Sequence, residues 1–210
     1  MDILAFGDSI TEGLWDNKGG WADQTKTFIH QQEIENGFKN YHEFYNLGVD
    51  GNTTRQILER FEAETKSRQW PDSELGFILA TGINDTLQRG ENDFECTPDQ
   101  YAVELAELIK KAGQFTTRIL FVDLTPVDET FTNPVASSST GKRYTNSRIE
   151  LFNRTLHKFC QNQSVECIKV SESFKAGGPR KLLATDGLHP NSTGHRLIYD
   201  LVQPKIKEWL

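Results

Sequence analysis

The 210 residues carry 30 acidic and 23 basic side chains, a net charge of −7. That balance leaves no basic patch for nucleic acid and no polybasic run for an anionic membrane surface. No apolar run approaches the roughly 18 residues that a membrane span needs. The length suits one core, so residues 1–210 are read as a single domain.

Ile3 to Phe6 is a short apolar run, read as the first strand. It starts right after Asp2, which leaves no room for a signal peptide and points to the cytoplasm. Ala22 to Glu35 reads as a helix, Tyr41 to Leu47 as a second strand, and Thr53 to Lys66 as a helix. Leu75 to Thr81 is nearly all apolar, as a strand covered on both faces should be. Thr97 is placed to cap the next helix, with Pro98 at its first position; that helix runs to about Ala112, before Gly113. Ile119 to Leu124 is the fourth strand. Thr125 to Thr145 then holds Pro126, Pro134 and Ser137-Ser138-Ser139-Thr140-Gly141. A loop this long in a compact domain is usually functional, and here it is expected to wall a substrate pocket. Asn146 to Gln161 reads as a helix. Val165 to Val170 alternates, as an edge strand does, and Ser192 to Trp209 is a last helix interrupted by Pro204. Strands alternating with helices predict an α/β fold with a parallel sheet and helices on both faces. There is no internal repeat and no linker. Three cysteines, Cys96, Cys160 and Cys167, read as free thiols.

The first strand runs straight into Gly7-Asp8-Ser9-Ile10. A serine on a tight turn after a buried strand is a candidate nucleophile. It needs a base within hydrogen-bond reach and donors for the negative charge that develops. Asp186-Gly187-Leu188-His189-Pro190 offers a base, His189, with its own carboxylate three residues earlier. Gly51, after the second strand, and Asn84, after the third, are candidate oxyanion donors. Asp8 is expected to pin the turn without doing chemistry. Plainer readings exist for each. Ser9 is also a possible helix cap, Gly51 a turn residue with positive φ, Asn84 a loop residue satisfying backbone groups and His189 a surface histidine. Gly48 and Gly51 lack the third glycine of a dinucleotide fingerprint. Trp15 and Trp21 flank the serine turn, either as walls of an acyl or aryl pocket or as covers for the sheet end. His157 and Cys160 share a helix face, but with Cys167 they make no second pair, so no zinc site is expected. His195 reads as structural.

Taken together, the order and spacing of these segments resemble the SGNH hydrolases, or GDSL esterases, from Ile3 to about Gly194. The four blocks of that family match at Ser9, Gly51, Asn84 and His189. Ile10 stands where the family name has leucine. Ile83 stands where many members carry glycine, which is expected to alter the pocket beside the oxyanion. The resemblance implies a three-layer, flavodoxin-like sheet of five parallel strands in the order 2-1-3-4-5, with ligands beyond the carboxyl ends of the strands. It implies a serine esterase acting on a small-molecule ester through an acyl-enzyme. Ser9 would be the nucleophile, His189 the base and Asp186 its orienting carboxylate. The oxyanion would meet the backbone N–H groups of Ser9 and Gly51 and the Asn84 side chain. Acyl and aryl esters, lysophospholipids and thioesters all fall within this reading, and no metal or organic cofactor is called for. The alternatives are a carbohydrate O-acetylesterase and a non-catalytic binding module on the same scaffold; intact Ser9, Asp186 and His189 speak against the module. Oligomeric state is left open.

Overall fold

A computed structural model describes residues 1–210. All six residues of strand β1 (Asp2–Gly7) are buried, as a strand covered on both faces requires. Because strand side chains alternate, Leu4 and Phe6 enter one core and Ile3 and Ala5 the other. β1 pairs in parallel with β2 (Glu43–Gly48) on one side and β3 (Leu75–Ala80) on the other. β4 (Ile119–Val122) and β5 (Glu166–Ile168) extend the sheet, giving the order β2-β1-β3-β4-β5. This is the expected fold.

Nine α-helices accompany the strands, α1 (Ser9–Glu12), α2 (Gly20–Glu35), α3 (Thr54–Arg68), α4 (Pro98–Ala112), α5 (Glu129–Thr132), α6 (Asn146–Gln163), α7 (Val170–Gly177), α8 (Pro179–Leu182) and α9 (Ser192–Trp209), with a short 3-10 turn at Asn84–Thr86. Phe61 of α3, Tyr101 of α4 and Phe152 of α6 fill one face of the sheet; Trp21, Phe174 and Ile198 of α2, α7 and α9 fill the other. Thr53 caps α3 reciprocally: its Oγ1 accepts from the Gln56 amide, and Gln56 Oε1 accepts from the Thr53 amide at 2.9 Å. Such a cap is worth about 1 kcal/mol, and it fixes the turn after β2. Thr97 and Pro98 start α4 as expected.

Two expectations are corrected. Pro204 does not interrupt α9, which runs continuously from Ser192 to Trp209. The proline is exposed, so the carbonyl that loses its donor faces water, while Ile198, Val202 and Ile206 stay buried. β5 is only three residues long, because the Asp123 carboxylate takes the Ser171 amide at 2.9 Å and turns the chain into α7. The long segment after β4 holds α5, and Arg143 in it exchanges both backbone hydrogen bonds with Gln88.

Parallel strands deliver their carboxyl ends to one edge, so Ser9, Gly51 and Asn84 all emerge there. Gly48 is what lets them approach. A Cβ at that position would lie 2.0 Å from the backbone N of Glu12, so any side chain would push α1 off the end of β2.

Candidate active site

Ser9 opens α1, held by a turn in which the Asp8 side chain accepts from the Ile10 amide at 2.9 Å. Asp8 therefore pins the turn, as expected. Burial pushes its carboxyl up to about 7, against the pull of the Ile10 amide and of nearby His189. His189 returns from the far end of the chain because its loop is tied down. Its carbonyl accepts from the Ala184 amide at 2.7 Å, and Asn191 caps α9 directly after it. The two residues meet: His189 Nε2 lies 2.9 Å from Ser9 Oγ, and His189 Nδ1 lies 2.5 Å from Asp186 Oδ2. A carboxylate only accepts, so Nδ1 carries the proton and Nε2 is left to accept from the serine hydroxyl. Asp186 also accepts the amides of Leu188 and His189, at 3.0 and 3.1 Å. Burial alone would raise the Asp186 carboxyl. The bonds from His189 and the two amides outweigh it and hold the group below its ordinary value.

The other two sequence candidates stand beside this chain. Gly51 has φ +75° and open space where a Cβ would go, so it is there for its backbone conformation. The backbone N–H groups of Ser9 and Gly51 make no hydrogen bond within the protein. Asn84 donates through Nδ2 to the Asn52 carbonyl at 3.1 Å, and its Oδ1 accepts from the Tyr144 hydroxyl at 3.1 Å.

The cleft over His189 encloses about 1150 Å³ and is walled by Trp15 and Leu188 and by Ser137 to Thr140 of the long loop. That loop walls the cleft, as expected. The two tryptophans divide: Trp15 is 70% exposed at the mouth, whereas Trp21 is buried in the core. Ile83 is buried in the core beside Asn84 and lines a small cavity with Asp8 and Ile10.

The GDSL-like lipase/acylhydrolase family matches residues 5–197. The chain belongs to that family, and it is an ester-hydrolysing enzyme. No curated protein matches the sequence. Among solved structures, a lipase/acylhydrolase from Enterococcus faecalis is 22% identical with a TM-score of 0.79, covering 100% of this chain and 96% of its own. TesA is 22% identical with a TM-score of 0.71, and each chain covers 100% of the other. Axe2, an acetylxylan esterase from Geobacillus stearothermophilus, is 17% identical with a TM-score of 0.73, covering 98% of this chain and 93% of its own. At these identities the likeness shows the GDSL fold.

Sequence reasoning missed several residues that support this candidate site. Arg60 Nη2 donates to the carbonyls of Leu47 and Gly7, at 2.7 and 3.1 Å, and its Nε donates to Asn52 Oδ1 at 2.9 Å. One guanidinium thus ties together the ends of β1 and β2 and the Asn52 turn. Asp85 accepts the Thr54 amide at 2.9 Å, and burial pushes its carboxyl up to about 7. A carboxylate oxygen of Asp85, one of Glu104 and Cys96 Sγ lie within 4.8 Å of one another. That is three donors where structural zinc takes four.

Two other histidines, His195 and His157, have structural roles. His195 is fully buried and its Nδ1 accepts the Trp21 amide at 3.3 Å; burial pushes its pKa down to about 4, so the ring stays neutral. His157 pairs with Asp123 at 3.0 Å, and that bond lifts its pKa from 6.5 to about 9. The raised value means protonated His157 stabilises the fold fully below pH 6.5, and the contribution fades as pH rises through about 9. The thermal midpoint should fall over that window, and His157→Gln should flatten the fall. An unchanged slope in the variant would show that the ion pair contributes nothing.

Proposed function

We propose that Ser9, His189 and Asp186 act as a catalytic triad for ester hydrolysis. The hydrogen-bonded chain from Ser9 Oγ through the His189 ring to Asp186 carries this reading. Ser9 Oγ attacks the ester carbonyl as His189 Nε2 takes its proton, and Asp186 stabilises the imidazolium that results. The backbone N–H groups of Ser9 and Gly51 and the remaining N–H of Asn84 are the donors for the tetrahedral oxyanion. His189 then protonates the leaving alcohol. Water, activated by the same histidine, releases the acid and restores Ser9.

The cleft favours a compact acyl group on a bulky alcohol. It is a wide groove, and the loop that forms one wall exposes a run of hydroxyls from Ser137 to Thr140. A long acyl chain would need an enclosed apolar channel. A second reading, carbohydrate O-acetylesterase, is supported by the same hydroxyl wall and by exposed Trp15, a flat surface on which a sugar ring can stack. Axe2, an acetylxylan esterase, shares the fold. The deciding experiment is hydrolysis of p-nitrophenyl esters of rising chain length, followed by acetylated xylo-oligosaccharides. Peak kcat/KM should fall at acetyl or butyryl. A peak at eight carbons or beyond would overturn the compact-acyl reading, and higher kcat/KM on the acetylated sugar would favour the second. A fluorophosphonate probe that leaves Ser9 unlabelled, with no ester turned over, would sink the catalytic reading altogether.

A further inference from the structure

We propose that Tyr144 is a positioning residue that fixes the orientation of the Asn84 amide, so that the loop walling the cleft also sets one donor of the oxyanion hole. The role presupposes the esterase chemistry proposed for Ser9, Asp186 and His189. Its structural basis is independent of turnover.

An asparagine amide has two near-equivalent orientations, related by a half-turn about its last bond. Only one of them offers N–H to an oxyanion; the other presents a carbonyl and repels it. Two contacts choose between them here. The Asn52 carbonyl can only accept, so the amide atom facing it, 3.1 Å away, must be nitrogen. That places Oδ1 against the Tyr144 hydroxyl at 3.1 Å, where the phenol donates. Burial raises the Tyr144 hydroxyl to about 12, so at neutral pH it keeps its proton and remains a donor. With Oδ1 occupied and one N–H given to Asn52, the second N–H has no partner within the protein.

Tyr144 is itself held rigidly. Its amide donates to the Thr132 carbonyl at 2.9 Å, and Thr132 Oγ1 donates back to the Tyr144 carbonyl at 2.9 Å. The preceding residue, Arg143, is bonded in both directions to Gln88, just beyond Asn84. The hydroxyl is therefore delivered by a backbone fixed on two sides, in a residue only 7% exposed. A donor preorganised in this way does not have to reorient as charge develops, which is where hydrogen bonds contribute most to rate.

The test is a double-mutant cycle on the full chain with p-nitrophenyl acetate. Tyr144→Phe should lower kcat about tenfold at nearly constant KM, less than the roughly 10² to 10³ expected for Asn84→Ala. In the Asn84→Ala background, Tyr144→Phe should change kcat less than about twofold, because there is no amide left to orient. An equal loss in both backgrounds, a loss confined to KM, or no loss in either would overturn the assignment. A second readout needs no turnover: the side-chain ¹⁵N–¹H pair of Asn84 should be well separated in the wild type and in Ser9→Ala, and should collapse toward free-amide values in Tyr144→Phe. An unchanged pair would also overturn it. If Ser9→Ala keeps full turnover while the Asn84 pair still responds to Tyr144→Phe, the triad reading fails and the orienting contact stands.

Discussion

Ser9→Ala is expected to abolish ester turnover and leave the protein folded. The serine is 4% exposed, and the partner of its hydroxyl is His189 Nε2, at 2.9 Å. Alanine removes that oxygen and nothing that holds the turn, because the turn is pinned by Asp8 on the Ile10 amide. His189 keeps its bond to Asp186, so the base remains in place with nothing to deprotonate. Loss of a triad member typically lowers kcat by roughly 10⁴ to 10⁶, and the remaining binding and oxyanion donors leave a small residual rate. The measurement is kcat on the best short-chain ester, with a thermal melt beside it. A folded variant that keeps more than about a hundredth of wild-type kcat would remove Ser9 from its role.

The parts of this site legible in the sequence are those whose geometry is local. Asp186 and His189 are three residues apart, and one carboxylate both closes the turn and holds the ring, so the spacing carries the geometry. Ser9, Gly51 and Asn84 each follow a predicted strand, and a parallel sheet brings such positions to one edge without further information. The supports are different in kind. Tyr144 reaches Asn84 across 60 residues and Arg60 reaches Gly7 across 53, and no periodicity in either segment marks such a partner. The same limit applies to the fold. Pro204 reads as a break, because the sequence does not say that its face of α9 points to water. The end of β5 depended on Asp123, which lies 48 residues before the amide it captures. α7 and α8, eight and four residues long, are too short for a helical repeat to stand out. For the two tryptophans, sequence proximity to Ser9 was uninformative; their opposite burial follows from Trp21 lying on α2 and Trp15 on the loop before it.

Asp186→Asn should lower kcat by about 10³ to 10⁴ through the wrong imidazole tautomer, with little change in structure. The amides of Leu188 and His189 both point at Asp186 Oδ1, so an asparagine must keep its carbonyl oxygen there. Its NH₂ then takes the place of Oδ2, facing His189 Nδ1. Two donors cannot share that contact. Nδ1 must give up its proton and accept, which moves the ring proton to Nε2. In that tautomer Nε2 donates toward Ser9 and cannot take the serine proton. The imidazolium that forms during attack would also lack its counter-charge. The loss should fall on kcat, with KM within about threefold, since Asp186 acts on the transition state. A second consequence is visible without substrate. The folded carboxyl sits below its ordinary value of 3.8, so its charge stabilises the fold above that pH, and the contribution is lost as pH falls through the folded value. The variant should therefore show a shallower fall in melting temperature on acidification below about pH 4. Turnover within tenfold of wild type in folded Asp186→Asn protein would show that the carboxylate does not set the tautomer of His189, and would leave the base to be oriented by its own loop.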